Sequence, residues 1–454
     1  MINCTNAFQE LVRKLSSLLE NKALEIQNSI NYLLPFRSII RLENIQREIV
    51  KPLCRELLGD LLTIVQVKPF DVTDDDWIEK ALLDYISLAD PFFVFSDSWK
   101  PTEKSIEKAT MLLVEDLDTY VPAKRALTIV DKVILEKPII DLDDKHRIRR
   151  LTRFELYMMK QDAIFQYLNV SDGVFSHDEL ETVYIIEYFL PDDIETRSLI
   201  QSNEPRESIA NALQNVLMGL RLFRNSEVSI SDIWVQVWDS RGRFITMIDT
   251  RPELKKGGFP TWTYSRMLNI PSRGMTPPLR LPVELGGESI EQLRRFWNLF
   301  SEFRTSTPYT RFQESYQIAL FQYNKLISED SPDTAANVLS SAIDAFGRKD
   351  TNRSSYYHLI NLLAHGSSEE RISRIINLYQ TEVRNKIEHG ERIDEENYST
   401  LYEMGNIFRA ALSYAIFLFD RFGVFPTRES FYKYVEEYKD EIPSIIPNWA
   451  QLVM

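Results

Sequence analysis

The feature that most constrains this chain is a series of long amphipathic stretches in its second half, several of them closed by a glycine. Apolar residues recur there at helical spacing, and Gly347, Gly366, Gly390 and Gly423 each follow such a stretch, as helix C-terminal caps do. Ser331 followed by Pro332 suits the first turn of a helix. Helices are expected near 288–304, 311–328, 332–346, 353–365, 369–389, 395–422 and 428–441. Short connections between them predict an antiparallel helical bundle. Ala410-Ala-Leu-Ser-Tyr-Ala-Ile-Phe-Leu-Phe419 is apolar nearly all round, which puts its helix at the bundle centre or against a partner subunit.

The first half reads differently. Phe8, Leu11, Leu15, Leu18 and Leu19 form one helical stripe, and Ile45, Ile49, Leu53, Leu57, Leu61 and Leu62 another. Helices are expected to continue to about residue 135, broken at Pro91, Pro101 and Pro122. The Thr73-Asp-Asp-Asp-Trp77 run reads as a helix start, because carboxylates favour the positive end of the helix dipole. Asp141, Asp143, Asp144 and His146 read as a solvated helix entry; a metal site is the weaker reading of both clusters. Val183-Tyr-Ile-Ile-Glu-Tyr-Phe-Leu190 reads as a buried strand, and 233–238 with 243–248 as a hairpin. The expected class is α+β, mainly helical. An N-terminal helical region (1–149) leads to a mixed α/β segment (150–287) and then to a helical bundle with a C-terminal extension (288–454).

A chain of 454 residues with 14 glycines has room for two or three domains. Its formal net charge of −14 argues against broad coating of nucleic acid, though not against a local basic groove. One stretch qualifies: eight Lys and Arg residues between Arg241 and Arg280, interleaved with Phe259, Trp262 and Tyr264. Cations attract phosphates and aromatic faces stack on bases, so Lys255, Trp262 and Arg266 are candidate contacts to single-stranded RNA. The favoured reading is plainer: aromatics packed on the next domain and arginines in solvent. Two cysteines give neither a disulfide framework nor a zinc set. No apolar run has the length of a membrane span, and the first residues lack a signal-peptide pattern, so a cytoplasmic protein with no membrane partner is expected.

The chemically suggestive stretch is Arg384-Asn-Lys-Ile-Glu-His-Gly390, at the end of a helix whose apolar stripe is Ile372, Ile376, Tyr379, Val383 and Ile387. Arg384 and His389 flank that stripe on opposite sides, about 140° apart, so neither is expected in the core. Histidine exchanges a proton near neutral pH, and arginine grips phosphate oxygens with a permanent planar charge. With the 2′-hydroxyl of RNA as nucleophile, a base, an acid and a cation over the phosphorane suffice for strand cleavage, without metal or cofactor. Asn385, one turn before His389, is placed to orient the imidazole. A two-fold axis would bring two such motifs together and supply both proton carriers, which predicts a homodimer. On spacing alone the favoured reading is an Arg384–Glu388 surface ion pair, and Arg353 and His358 repeat the spacing by chance.

Context adds a resemblance. Residues of about 310–425 resemble the HEPN domains, specifically the ApeA-like group. Gly219-Leu-Arg-Leu-Phe-Arg224 is similar to their upstream arginine-and-aromatic segment. Val338-Leu-Ser-Ser-Ala-Ile-Asp-Ala-Phe-Gly347 resembles the helix that carries an acidic residue before an aromatic, with Asp344 where glutamate is commoner. Leu359-Ile-Asn-Leu-Leu-Ala-His-Gly366 resembles the short apolar helix that follows, and the stretch from Ile376 to Gly390 resembles the signature itself. The resemblance implies a metal-independent, homodimeric RNA endonuclease of phage defence or toxin type. It also implies catalytic roles for Arg384, His389 and Asn385, with Lys386 beside the substrate. By analogy the part before residue 288 would sense a trigger, such as a phage-derived molecule, and restrain the nuclease. The alternative is a non-catalytic dimeric module of the same fold that binds RNA or a protein.

Overall fold

The computed structural model describes residues 5–6, 8–15, 76–90, 93, 99–119, 125–131, 133–153, 184–190, 203–223, 229–236, 244–247, 283–329, 331–347, 359–360, 362–363 and 369–448. Within them the protein is mainly helical with a small sheet. Residues 8–15 are helical, with Phe8, Leu11, Val12 and Leu15 buried, as the first stripe predicts. Two helices, α1 (Asp76–Ala89) and α2 (Glu103–Thr119), then pack together.

The sheet begins earlier than the sequence suggests. Strands β1 (Arg125–Asp131), β2 (Val133–Leu135), β3 (Ile139–Asp141) and β4 (His146–Arg150) occupy the stretch expected to end the N-terminal helices. The last helix before the sheet therefore stops at Thr119, and Asp143 and Asp144 lie in the turn between β3 and β4. The carboxylate of Asp143 accepts the backbone N–H groups of Lys145 and His146, both at 2.7 Å, and so closes that turn.

Strand β5 (Tyr184–Phe189) lies where the aromatic, β-branched run predicts it. Helix α3 (Asn203–Phe223) and the paired strands β6 (Ser229–Gln236) and β7 (Phe244–Met247) follow. The antiparallel sheet has the order β3-β4-β5-β1-β6-β7, while β2 pairs in parallel with β8 (Val283–Leu285). The sheet thus draws on both sides of residue 150. At its centre Glu187 is fully buried between Arg125 and Arg149, each two residues along from its register partner and so on the same face. Arg149 binds Glu187 through Nε and Nη2, both at 3.0 Å, and Arg125 Nη1 lies 2.6 Å from it.

The remaining helices agree with the periodicity. They are α4 (Glu288–Thr305), α5 (Arg311–Ser328), α6 (Pro332–Phe346), α7 (Glu369–Leu378), α8 (Asn385–Glu388), α9 (Tyr398–Phe422), α10 (Arg428–Glu437) and α11 (Ile442–Ile445). Thr310 and Gln313 form a capping box on α5, and Ser331 caps α6 with Pro332 in its first turn. Every residue of α9 from Ile407 to Phe419 is buried, so this is the central helix.

Two ties join sheet and bundle. The N–H of the Trp297 indole on α4 donates to Asp143 Oδ2 at 2.6 Å, and the His146 ring lies 2.9 Å from the same carboxylate. Burial alone would raise the pKa of Asp143, but the hydrogen bonds from His146 and Trp297 hold it well below the usual carboxylate range. The second tie is α3, which packs on the sheet and also against α4 and α9. Its last turn enters the bundle: Arg409 Nη1 and Ser413 Oγ donate to Leu222 O at 2.7 and 3.0 Å, and Arg221 reaches Asn324 Oδ1 at 3.0 Å. The apolar core accordingly runs without a break from Ala126 in the sheet to Phe431 in the bundle. No helix among the described residues is long and apolar enough to cross a membrane.

Candidate active site

Residues 369–388 form one continuous helix whose winding changes part way. Helix α7 leads into a π-helical turn, Tyr379–Arg384, and α8 resumes α-helical winding. The N–H of Asn385 bonds to Gln380 O, five residues back. A π turn winds less per residue than an α turn, and such turns recur at functional sites. In an α-helix residues four apart drift by about 40° around the axis. The π turn removes most of that drift, so Tyr379 and Val383 are both fully buried and Ile387 still packs at the core margin. The Tyr379 hydroxyl fixes the turn to α6: it donates to Ala336 O at 3.1 Å and lies 2.8 Å from Ser340 Oγ.

The helix ends in a Schellman motif. Gly390, at φ 75°, donates its N–H to Ile387 O at 2.9 Å, and Glu391 donates to Lys386 O at 2.8 Å. His389 is the C-cap residue, with an exposed side chain. The chain beyond is tied down where Ile393 N–H meets Asp333 Oδ1, in the first turn of α6, at 3.0 Å.

Arg384 leaves the helix at the edge of the core, with its side chain 25% exposed. Its Nε donates to Glu388 Oε1 at 2.6 Å and its Nη2 to Asp344 Oδ2 at 3.4 Å. The surface ion pair expected from spacing is therefore present, joined by a carboxylate from α6. Lys386 is likewise held, by Asp394 and, at 3.9 Å, by Glu382. The hydrogen bond with Asp394 raises the Lys386 pKa, so the ammonium is charged at neutral pH. Asn385 and His389 are both exposed. They are joined through the backbone, His389 N–H to Asn385 O at 3.1 Å, and no hydrogen bond joins their side chains among the described residues. Lys255, Trp262 and Arg266 lie outside the described residues, as does the second Arg/His pair at 353 and 358.

This arrangement offers a permanent cation and an exposed imidazole on one capped helix end. Glu388, with 56% of its side chain exposed, occupies the Nε edge of the Arg384 guanidinium. The sequence reading missed two supports, Tyr379 as an anchor and Asp344 as a partner of Arg384. Neither contact had a local signal, since each joins the motif helix to α6 about 40 positions earlier.

Among the described residues no group of three or more His, Cys, Asp and Glu side chains is arranged to hold a metal ion. No family model, no curated protein and no solved structure matches this chain.

Proposed function

We propose that this protein is a metal-independent RNA endonuclease of the HEPN type, cofactor-free, cytoplasmic and homodimeric, serving in phage defence or as a toxin. One observation carries the reading. Arg384 and His389 both leave the apolar face of a helix whose end is fixed by the Schellman motif and by Tyr379, and Arg384 is braced by Asp344. In the proposed reaction His389 takes the proton of the 2′-hydroxyl as O2′ bonds to phosphorus. Arg384 neutralises the charge that develops on the phosphorane. The bond from phosphorus to O5′ breaks, and His389 of the partner subunit, as imidazolium, protonates the leaving oxygen. The products end in a 2′,3′-cyclic phosphate and a 5′-hydroxyl. Asn385 stands one turn from His389, where it would orient the imidazole once RNA is bound, and Lys386 would contact the substrate on exchanging Asp394 for a phosphate.

A second reading rests on the carboxylates. Arg384 and Lys386 are each held by two of them, which suits a non-catalytic dimeric module that binds RNA or a protein.

Purified protein with end-labelled RNA in EDTA separates the two. Cleavage with cyclic phosphate ends is expected from wild type and lost in Arg384→Ala and His389→Ala. Cleavage that persists in His389→Ala refutes the assigned site, and intact RNA in every sample favours the binding module.

A further inference from the structure

The outer face of α5 carries a row that the bundle core does not use. Glu314, Ile318, Phe321 and Lys325 follow one another at spacings of four, three and four residues, the spacing of a seam between two paired helices. They fall within about 60° of arc, on the side opposite the buried Phe312, Tyr316, Ala319 and Tyr323. Ile318 is 55% exposed and Phe321 48%, and α5 alone among the described helices carries two exposed large apolar side chains. A single one is ordinary, but neighbours at i and i+3 in the middle of a face form a patch. Phe422, exposed on α9, leans on Tyr434 with 4.4 Å between ring centroids, whereas Phe321 makes no ring contact among the described residues.

The two ends of the row carry opposite charges. Glu314 stands one turn before Ile318 and Lys325 one turn after Phe321, and neither makes an ion pair among the described residues. The row is also symmetric in position. Glu314 and Lys325 lie equally far from a midpoint between Ala319 and Leu320, and so do Ile318 and Phe321. Two copies of α5 laid antiparallel about a two-fold axis at that midpoint set each Glu314 against the partner's Lys325 and gather four apolar side chains at the axis. Parallel copies would set glutamate on glutamate and lysine on lysine, which repel. The charges therefore select the antiparallel arrangement, the one in which a single surface is complementary to itself.

We infer that this face of α5 is a docking surface for a second copy of this chain, held antiparallel by the Ile318–Phe321 patch and by two Glu314–Lys325 ion pairs. Such docking is independent of the nuclease reading. It also uses a different surface from the motif helix, because α5 packs on α6 and α6 in turn packs on the π turn. If the motif helices pair about an axis of their own, the two contacts together build assemblies larger than a dimer. From Glu314 to Lys325 the seam is about 16 Å long at the α-helical rise. That is the small end of specific interfaces, so a reversible contact of roughly micromolar strength is expected.

The test is sedimentation equilibrium of the full chain from about 1 to 100 µM. Wild type is expected to gain mass over this range. Phe321→Asp, at an exposed position, is expected to keep the thermal midpoint and to weaken that association about tenfold or more. Glu314→Lys and Lys325→Glu should each weaken it too, by setting like charges together. Combining both changes in one chain should restore it, and an equimolar mixture of the two single variants should associate although neither does alone. A wild-type mass that does not change with concentration overturns the inference, and leaves the face to some other partner. Association that is the same in Phe321→Asp and Glu314→Lys as in wild type also overturns it, and is the pattern of a dimer held by the motif helices alone.

Discussion

Glu388 Oε1 lies 2.6 Å from Arg384 Nε, on the side of the guanidinium that faces solvent. An exposed i,i+4 pair of this kind contributes only a few tenths of a kcal/mol, so on the proposed function a singly charged phosphodiester is expected to displace it. Glu388→Gln is therefore expected to leave the thermal midpoint within a degree or so and to strengthen RNA binding about three- to tenfold at low salt. Asp344→Asn is expected to act oppositely, lowering kcat with little change in KM, because the guanidinium loses its brace on α6. Anisotropy and steady-state cleavage with both variants check the pair; a weaker RNA complex for Glu388→Gln contradicts displacement of Glu388 by RNA.

Gly390 holds φ 75°, and a Cβ added there would meet no atom within 4 Å. The cost of Gly390→Ala is thus conformational rather than steric, about 1–2 kcal/mol. A lowered urea midpoint with an unchanged slope is the expected result. Because the same turn positions His389 and the chain carrying Asp394, activity should fall by more than stability alone accounts for.

Asp143 titrates below its ordinary range because His146 and Trp297 donate to it despite its burial. A carboxylate depressed in the folded state stabilises the protein above its unfolded pKa, near 3.9, and that contribution is lost as pH falls below it. Urea midpoints are expected to drop between about pH 4 and pH 2 in wild type, and by less in Asp143→Asn, which is weaker at pH 7 to begin with. Parallel acid profiles for the two proteins would show that Asp143 does not carry this dependence.

Arg409 is 1% exposed and donates to the carbonyl that ends α3. Replacing it with Met keeps the volume and leaves Leu222 O to Ser413 alone. A loss of about 2–3 kcal/mol is expected, read as a shifted denaturation midpoint. Ser413→Ala should cost about 1 kcal/mol. Since α3 rests on both sheet and bundle, unfolding followed in either part should shift together.

The bundle was legible because its information is local. Caps at Ser331 and Gly423 and one apolar face per helix say the same thing about each boundary. The strands of 125–150 were not, for a physical reason. β1 is paired on both sides, and Arg125, Ala126, Leu127 and Thr128 are all buried, so no alternation of polar and apolar residues marks it. In β4, which follows the acidic run read as a solvated helix entry, Arg149 is fully buried on Glu187 from a strand 38 positions later. The site divides in the same way. Spacing marks the Arg384–Glu388 ion pair and the helix end at Gly390, but the Asp344 contact and the tie from Asp143 to Trp297 join residues 40 and 154 positions apart, beyond any local pattern.

The π turn at Tyr379–Arg384 amounts to one surplus residue stored in the helix. If the same sequence rewound as plain α-helix, everything after it would swing by roughly a quarter turn. His389 would then face a different neighbour. Removing a single residue from the turn has the reverse effect: the helix regularises while its far end keeps its phase. The histidine's bearing is thus stored in a count of residues as much as in their identity.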